Sequence, residues 1–115
     1  MSVTLTTRQV GDVTVIDAKG RITLGEGSSD FRDSIKSLVA KGQKNILVNL
    51  ANITYIDSSG IGEMVSGFTT VANAGGKLKL LSLTKRIQDL LQITKLYTVF
   101  EVYDDEAAGL ASFQS

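Results

Sequence analysis

Neither cysteine nor histidine occurs anywhere in the 115-residue chain, and the two absences remove much of the chemistry a small domain could carry. Without cysteine there are no disulfides, no thiolate nucleophile and no zinc site built on sulfur. Without histidine the commonest general base and the commonest metal ligand are gone as well. An enzyme is therefore not expected, nor a metal or cofactor. Excess charge of either sign is missing too: 12 basic residues balance 12 acidic ones, and no cluster of Lys or Arg reaches the density of a nucleic-acid or membrane footprint. There is no apolar run near the roughly 18 residues of a membrane span, and no signal-peptide pattern, since Met1-Ser2-Val3 leads straight into Thr/Val-rich sequence. The expectation is a cytoplasmic protein without membrane insertion, in which the Asn52-Ile53-Thr54 glycosylation pattern has no use. Linkers, repeats and low-complexity stretches are also lacking. The length suits one domain, residues 1–115, able to bury about two thirds of its unfolded surface.

What is present is an alternation of strand and helix patterns. Val3, Leu5 and Thr7 alternate with polar residues, and after Gly11-Asp12 comes Val13-Thr14-Val15-Ile16, which together predict a β-hairpin. A short extended piece, Arg21-Ile22-Thr23-Leu24, leads to Gly25-Glu26-Gly27; Ser28, Ser29 and Asp30 then offer caps for a helix carrying Phe31, Ile35, Leu38 and Val39 and ending at Gly42. The apolar run 46–50 predicts a strand covered on both faces, and Ile53, Tyr55 and Ile56 carry it onward. Ile61, Met64, Val65, Phe68, Val71 and Ala72 mark one face of a helix over about 59–74, closed by Gly75-Gly76. Residues 77–83 alternate cleanly, as a strand with one solvated face would. A helix with Ile87, Leu90 and Leu91 follows, then a strand at Phe100-Glu101-Val102-Tyr103, then a terminal helix capped among Asp104, Asp105 and Glu106 and bearing Ala107, Leu110 and Phe113. The fold class is α/β: a mixed sheet packed against about four helices, antiparallel at the opening hairpin and parallel where strands and helices alternate.

The most informative stretch is Asp57-Ser58-Ser59-Gly60, where the buried strand ends and the amphipathic helix begins. Asp and Ser oxygens suit the unpaired first N–H groups of a helix, and Gly60 and Gly62 would let another molecule approach the backbone. The serines are thus either caps or targets. A phosphoryl group here would be well tolerated, because a helix N-terminus favours negative charge by about 0.3 to 1 kcal/mol.

Other candidate sites fail on their chemistry. Gly20 and Gly25 have the glycine spacing of a P-loop, but Glu26 stands in place of its Lys and Gly27 in place of its Ser/Thr, so a carboxylate would repel the phosphates. Gly60-Ile61-Gly62 is followed by Val65 where a dinucleotide fingerprint needs a third glycine. A serine nucleophile would need a base, and no lysine lies within 12 residues of Ser58 in either direction; unless folding brings one near, a small hydrolase using Ser58 ranks far below the other readings. The Asp104-Asp105-Glu106 run has the composition of an acidic site but is ordinary helix capping, and Lys85-Arg86, which could bind an acidic partner, reads rather as a solvated helix end.

Around the junction the sequence resembles the STAS domain family, in particular the bacterial anti-sigma factor antagonists. The matching residues are 45–50, the run Tyr55-Ile56-Asp57-Ser58-Ser59-Gly60-Ile61-Gly62, Gly75-Gly76-Lys77-Leu78, and Leu90-Leu91-Gln92-Ile93-Thr94-Lys95-Leu96. The resemblance implies a switch protein: the unphosphorylated form binds an anti-sigma factor that is itself an ATP-dependent serine kinase, which frees the sigma factor. Phosphorylation of Ser58 by that kinase ends the interaction, and a serine phosphatase restores it. The partner-binding residues implied are Asp57, Ser58, Ser59, Gly60, Ile61, Gly62 and Glu63. The family also contains scaffold modules of larger signalling or transport assemblies, which is the alternative expectation. Three positions depart from the family pattern. Gly20-Arg21-Ile22-Thr23 replaces a stretch that often carries an acidic residue, Lys85 stands where Pro is common, and Lys95 where Gly is common.

Overall fold

The computed structural model describes residues 3–25 and 27–114. Met1, Ser2 and Glu26, the last being the residue in the P-loop lysine position, lie outside the described residues. Strands β1 (Val3–Val10) and β2 (Val13–Ile22) form the expected antiparallel hairpin, with Gly11 at φ +60° in its turn. Next come α1 (Ser28–Ala40), β3 (Asn45–Ile56), α2 (Ser58–Asn73), β4 (Lys77–Leu81), α3 (Lys85–Ile93), the two-residue β5 (Val102–Tyr103) and α4 (Glu106–Ala111). The sheet order follows the chain, β1-β2-β3-β4-β5, and every pairing after the hairpin is parallel. Strands added in one direction through right-handed crossovers place all the connecting helices on one face. The main core lies accordingly between that face and α1, α2 and α3, built on Phe31 and Ile35, Ile61 and Met64, and Ile87 and Leu91 against Ile16, Val48 and Leu80.

Four local expectations need correction. The piece at 21–24 is no separate strand: β2 runs through to Ile22 past two register shifts against β3, so that Arg21 pairs with Tyr55. Helix α1 has no side-chain cap; left-handed Gly27 (φ +84°) precedes it, and the Ser28 hydroxyl donates instead to the Thr23 carbonyl at 2.7 Å. A Cβ at Gly27 would come within 2.4 Å of the Arg21 carbonyl oxygen, so the chain crossing itself dictates glycine there. The last strand is shorter than expected, because Phe100 turns into the core and meets Phe68 edge to face at 5.7 Å. Finally, β4 has no solvated face.

The reason is α4 and the turn after it, which cover the opposite side of the sheet over Val13, Val15, Leu47 and Leu81 with Leu110 and Phe113. Lys79, expected in water, is only 3% exposed beneath it. Its Nζ donates to the Ser112 carbonyl and hydroxyl at 2.9 and 3.1 Å, pairs with Glu101 at 3.3 Å, and lies 4.8 Å from the Phe113 ring centre. Every demand of the ammonium is met, which is what permits its burial. Arg8 ties the same helix to the hairpin, bonding Asp17 at 2.7 Å and Glu106 at 2.9 Å, while Asn49 also donates to Asp17.

Arg8 holds the carboxyls of Asp17 and Glu106 below their ordinary values of 3.8 and 4.5. A carboxyl depressed in the native state contributes stability that is present above its unfolded value and lost as pH falls through the native one. Urea midpoints should therefore fall as pH drops below about 4.5, and Arg8→Gln should flatten that slope. An unchanged acid slope in Arg8→Gln would show that this network does not govern acid stability.

Candidate functional site

Strand β3 delivers Asp57 to the carboxyl edge of the sheet, and the chain enters α2 at once. Asp57 holds extended backbone (φ −112°, ψ −175°) while its Oδ1 accepts from the Gly60 N–H at 2.9 Å. Its Oδ2 accepts from the Leu24 N–H at 3.2 Å, so one carboxylate both caps α2 and pins the β2–α1 loop beside it. Loss of water contact pushes the Asp57 carboxyl up, but the N–H groups of Gly60, Leu24 and Ser59 together outweigh it and leave it below its ordinary range.

With Asp57 as cap, the serines are not needed for that purpose. Ser58 is exposed and its hydroxyl has no hydrogen-bond partner among the described residues; Ser59 is half-buried and its hydroxyl likewise caps nothing. Asp57→Ala should accordingly cost about 1 to 2 kcal/mol. Ser58→Ala and Ser59→Ala should each stay within about 0.5 kcal/mol of wild type in denaturant unfolding. A loss near 1 kcal/mol in either serine variant would mean that the hydroxyl caps after all.

The two glycines expected to admit a visitor differ from one another. Gly60 is buried, and a Cβ there would stand 2.3 Å from the Ile22 carbonyl oxygen and 2.6 Å from Ile56 Cγ1. It lets α2 approach β2, not an outside molecule. Ile61, 1% exposed, is a core residue and also faces inward. Gly62 is exposed, with open space where a side chain would go. Glu63 is half-buried and engaged by Arg32 of α1 at 3.2 Å. The outward set is thus Ser58 and Gly62 flanked by Asp57, Ser59 and Glu63, while Gly60 and Ile61 shape the turn from within.

Three neighbours complete the site: Leu24 and Arg21, to which the sequence pointed in no functional way, and Arg86, which it offered as a solvated helix end. Leu24, 79% exposed, stands on the loop latched by Asp57; its only signal was an apolar residue before Gly25 in no periodic pattern. Arg21 lies 5.0 Å from the centre of the Tyr55 ring and Arg86 4.1 Å from it. Arg86 is no loose helix end, because its Nε donates to the Ile56 carbonyl at 2.9 Å. Two family departures have simple physical meanings. Lys85 opens α3 after the Thr84 cap, the one helical position where Pro would be harmless. Lys95 holds φ +60° after the end of α3, the left-handed turn that glycine takes most cheaply.

Among the described residues no group of acidic, His or Cys side chains is placed to hold a metal, and no helix is long and apolar enough to cross a membrane.

A mixed sheet with three crossover helices on one face, and an Asp-capped helix presenting an uncommitted serine at the sheet edge, defines a protein of the STAS type. The STAS domain family model matches residues 4–109, and the chain belongs to that family. It is 30% identical over 80 residues to the anti-sigma-B factor antagonist of Bacillus subtilis, covering 70% of this chain and 72% of that protein. It is 24% identical over 71 residues to the anti-sigma F factor antagonist of Paenibacillus polymyxa, covering 62% of this chain and 61% of that protein. The chain thus spans about two thirds of the length of these relatives. An anti-sigma factor antagonist from Mycobacterium paratuberculosis shares the fold at TM-score 0.86, with 16% identity over 99% of this chain and 96% of that one. The phosphorylated form of the Bacillus cell fate determinant SpoIIAA shares it at TM-score 0.70, with 20% identity over 91% of this chain and 96% of that one.

Proposed function

We propose that this chain is an anti-sigma factor antagonist switched by phosphorylation at Ser58. The observation that supports it best is the division of labour at the start of α2: Asp57 supplies the cap, so the exposed Ser58 hydroxyl is free to react. In the unphosphorylated state the surface around Ser58, Gly62, Glu63 and Leu24 binds an anti-sigma factor that is a serine kinase, and the sigma factor is released. The kinase transfers the γ-phosphoryl group of ATP to Ser58 Oγ; the hydroxyl loses its proton and ADP leaves. A phosphatase returns the serine with release of inorganic phosphate. The protein acts by binding and catalyses nothing itself.

The test is phosphate transfer from labelled ATP by the anti-sigma kinase of the same organism. Wild type and Ser59→Ala should be labelled, with the phosphate mapped to Ser58 by mass spectrometry, and Ser58→Ala should stay unlabelled. Labelling of Ser58→Ala would remove Ser58 as the switch. The scaffold alternative makes the opposite demand: partner binding indifferent to Ser58→Asp.

A further inference from the structure

Arg21 from the end of β2 and Arg86 from the first turn of α3 converge on Tyr55 at the end of β3, three residues before Ser58. The residues are far apart in sequence and meet because Arg21 and Tyr55 are register partners, while Arg86 is fixed to the Ile56 carbonyl. Both arginines are exposed, and among the described residues neither makes an ion pair. Arg86 commits only its Nε, so its two Nη groups remain open; the Arg21 guanidinium makes no hydrogen bond among the described residues.

Among the described residues, acidic groups near this spot are engaged elsewhere. Glu63 pairs with Arg32, Asp89 with Lys85 at 3.2 Å, and Asp57 accepts backbone N–H groups. In a chain of zero formal net charge this leaves a local concentration of positive charge, to which Lys19, two residues before Arg21 along β2 and also exposed, contributes. Cation–π contact with one ring holds both guanidinium groups in place before any partner arrives, which lowers the ordering cost of a hydrogen bond to a carboxylate. Three cations are too few for a nucleic-acid track.

We propose that Arg21, Tyr55 and Arg86 form a docking point for an acidic segment of the protein that recognises the Ser58 surface. The inference rests on the antagonist reading for the partner's identity, and on charge complementarity alone for its chemistry. It also gives the switch a second component. A phosphoryl group at Ser58, two residues beyond the carbonyl that anchors Arg86, adds negative charge where the partner's carboxylates must approach.

The full chain, labelled with nitrogen-15, is titrated with a synthetic hexaglutamate peptide at low and at high salt, with hexalysine as control. Amide shifts should concentrate near residues 19–21, 54–56 and 85–87, weaken with salt, and be absent with hexalysine. Arg21→Gln, which breaks no internal hydrogen bond among the described residues, should weaken peptide binding roughly fivefold, the upper end for an exposed ion pair. Arg86→Gln should weaken it at least as much. Shifts spread over the lysines of α1 and its following loop, or an Arg21→Gln affinity equal to wild type, would overturn the proposal. Phosphate transfer to Ser58 is measured separately; its failure counts against the antagonist reading, whereas the peptide result decides the acidic docking point.

Discussion

Gly60→Ala should destabilise the domain by about 3 kcal/mol or more, whereas Gly62→Ala, two residues along the same helix, should stabilise it by up to about 1 kcal/mol. The two substitutions are chemically identical, and alanine is the better helix former in each case. What differs is the space. At position 60 the new methyl would meet the Ile22 carbonyl oxygen at 2.3 Å and Ile56 Cγ1 at 2.6 Å. Neither atom is the end of a flexible side chain, so α2 or β2 must shift, and the Asp57 latch to Gly60 and Leu24 shifts with it. At position 62 nothing lies within 4 Å. Urea unfolding of the two variants settles the matter, and equal effects would show that the close approach of α2 to β2 is not a constraint. Gly62→Ala also probes function: if the partner seats against that open backbone, the more stable variant should bind it more weakly.

That pair also shows where the sequence was legible and where it was not. The strand of 45–56 and the helix of 58–73 could be read because each period is clean: a continuous apolar run for one, spacings of three and four for the other. The junction between them follows directly, and with it the position of Ser58. Which oxygen would cap the helix did not follow, since Asp57, Ser58 and Ser59 are all competent, and the choice is made by a loop 33 residues upstream whose Leu24 N–H claims the second Asp57 oxygen. Gly60 and Gly62 look alike in sequence, and only the distance between α2 and β2 separates them. Lys79 misled for a similar reason. Alternation with Lys77 reads as a wet face, yet Ser112 and Phe113 come over it from the far end of the chain and supply what a buried ammonium requires. The Arg21–Tyr55–Arg86 cluster was invisible because its members are joined by parallel strand register and a crossover, neither of which leaves a local mark.

On the proposed antagonist function, the protein phosphorylated at Ser58 should bind an anti-sigma factor roughly 30-fold to a few thousand-fold more weakly than the unmodified form. The weakening follows from the site's position. A phosphoryl group adds about −1.5 to −2 charges to an exposed hydroxyl at the start of α2. In the free protein this is tolerated, because water and the helix dipole both favour the anion there. The sheet and helices should persist, with amide shifts confined to residues near 57–65. In the complex, the dianion either finds a cation or is buried unpaired, and the second outcome costs roughly 2 to 5 kcal/mol. Ser58→Ala presents the same surface without a place for the phosphate, and should bind as tightly as unmodified wild type whether or not ATP is present. Ser58→Asp should fall between, since one carboxylate carries less charge and fewer acceptor oxygens than a phosphate. Titration calorimetry of the four forms against the cognate anti-sigma factor orders them directly. Equal affinity of Ser58→Ala and the phosphorylated protein would sink the switch, and amide shifts spread through the sheet on phosphorylation would replace a surface mechanism with a conformational one.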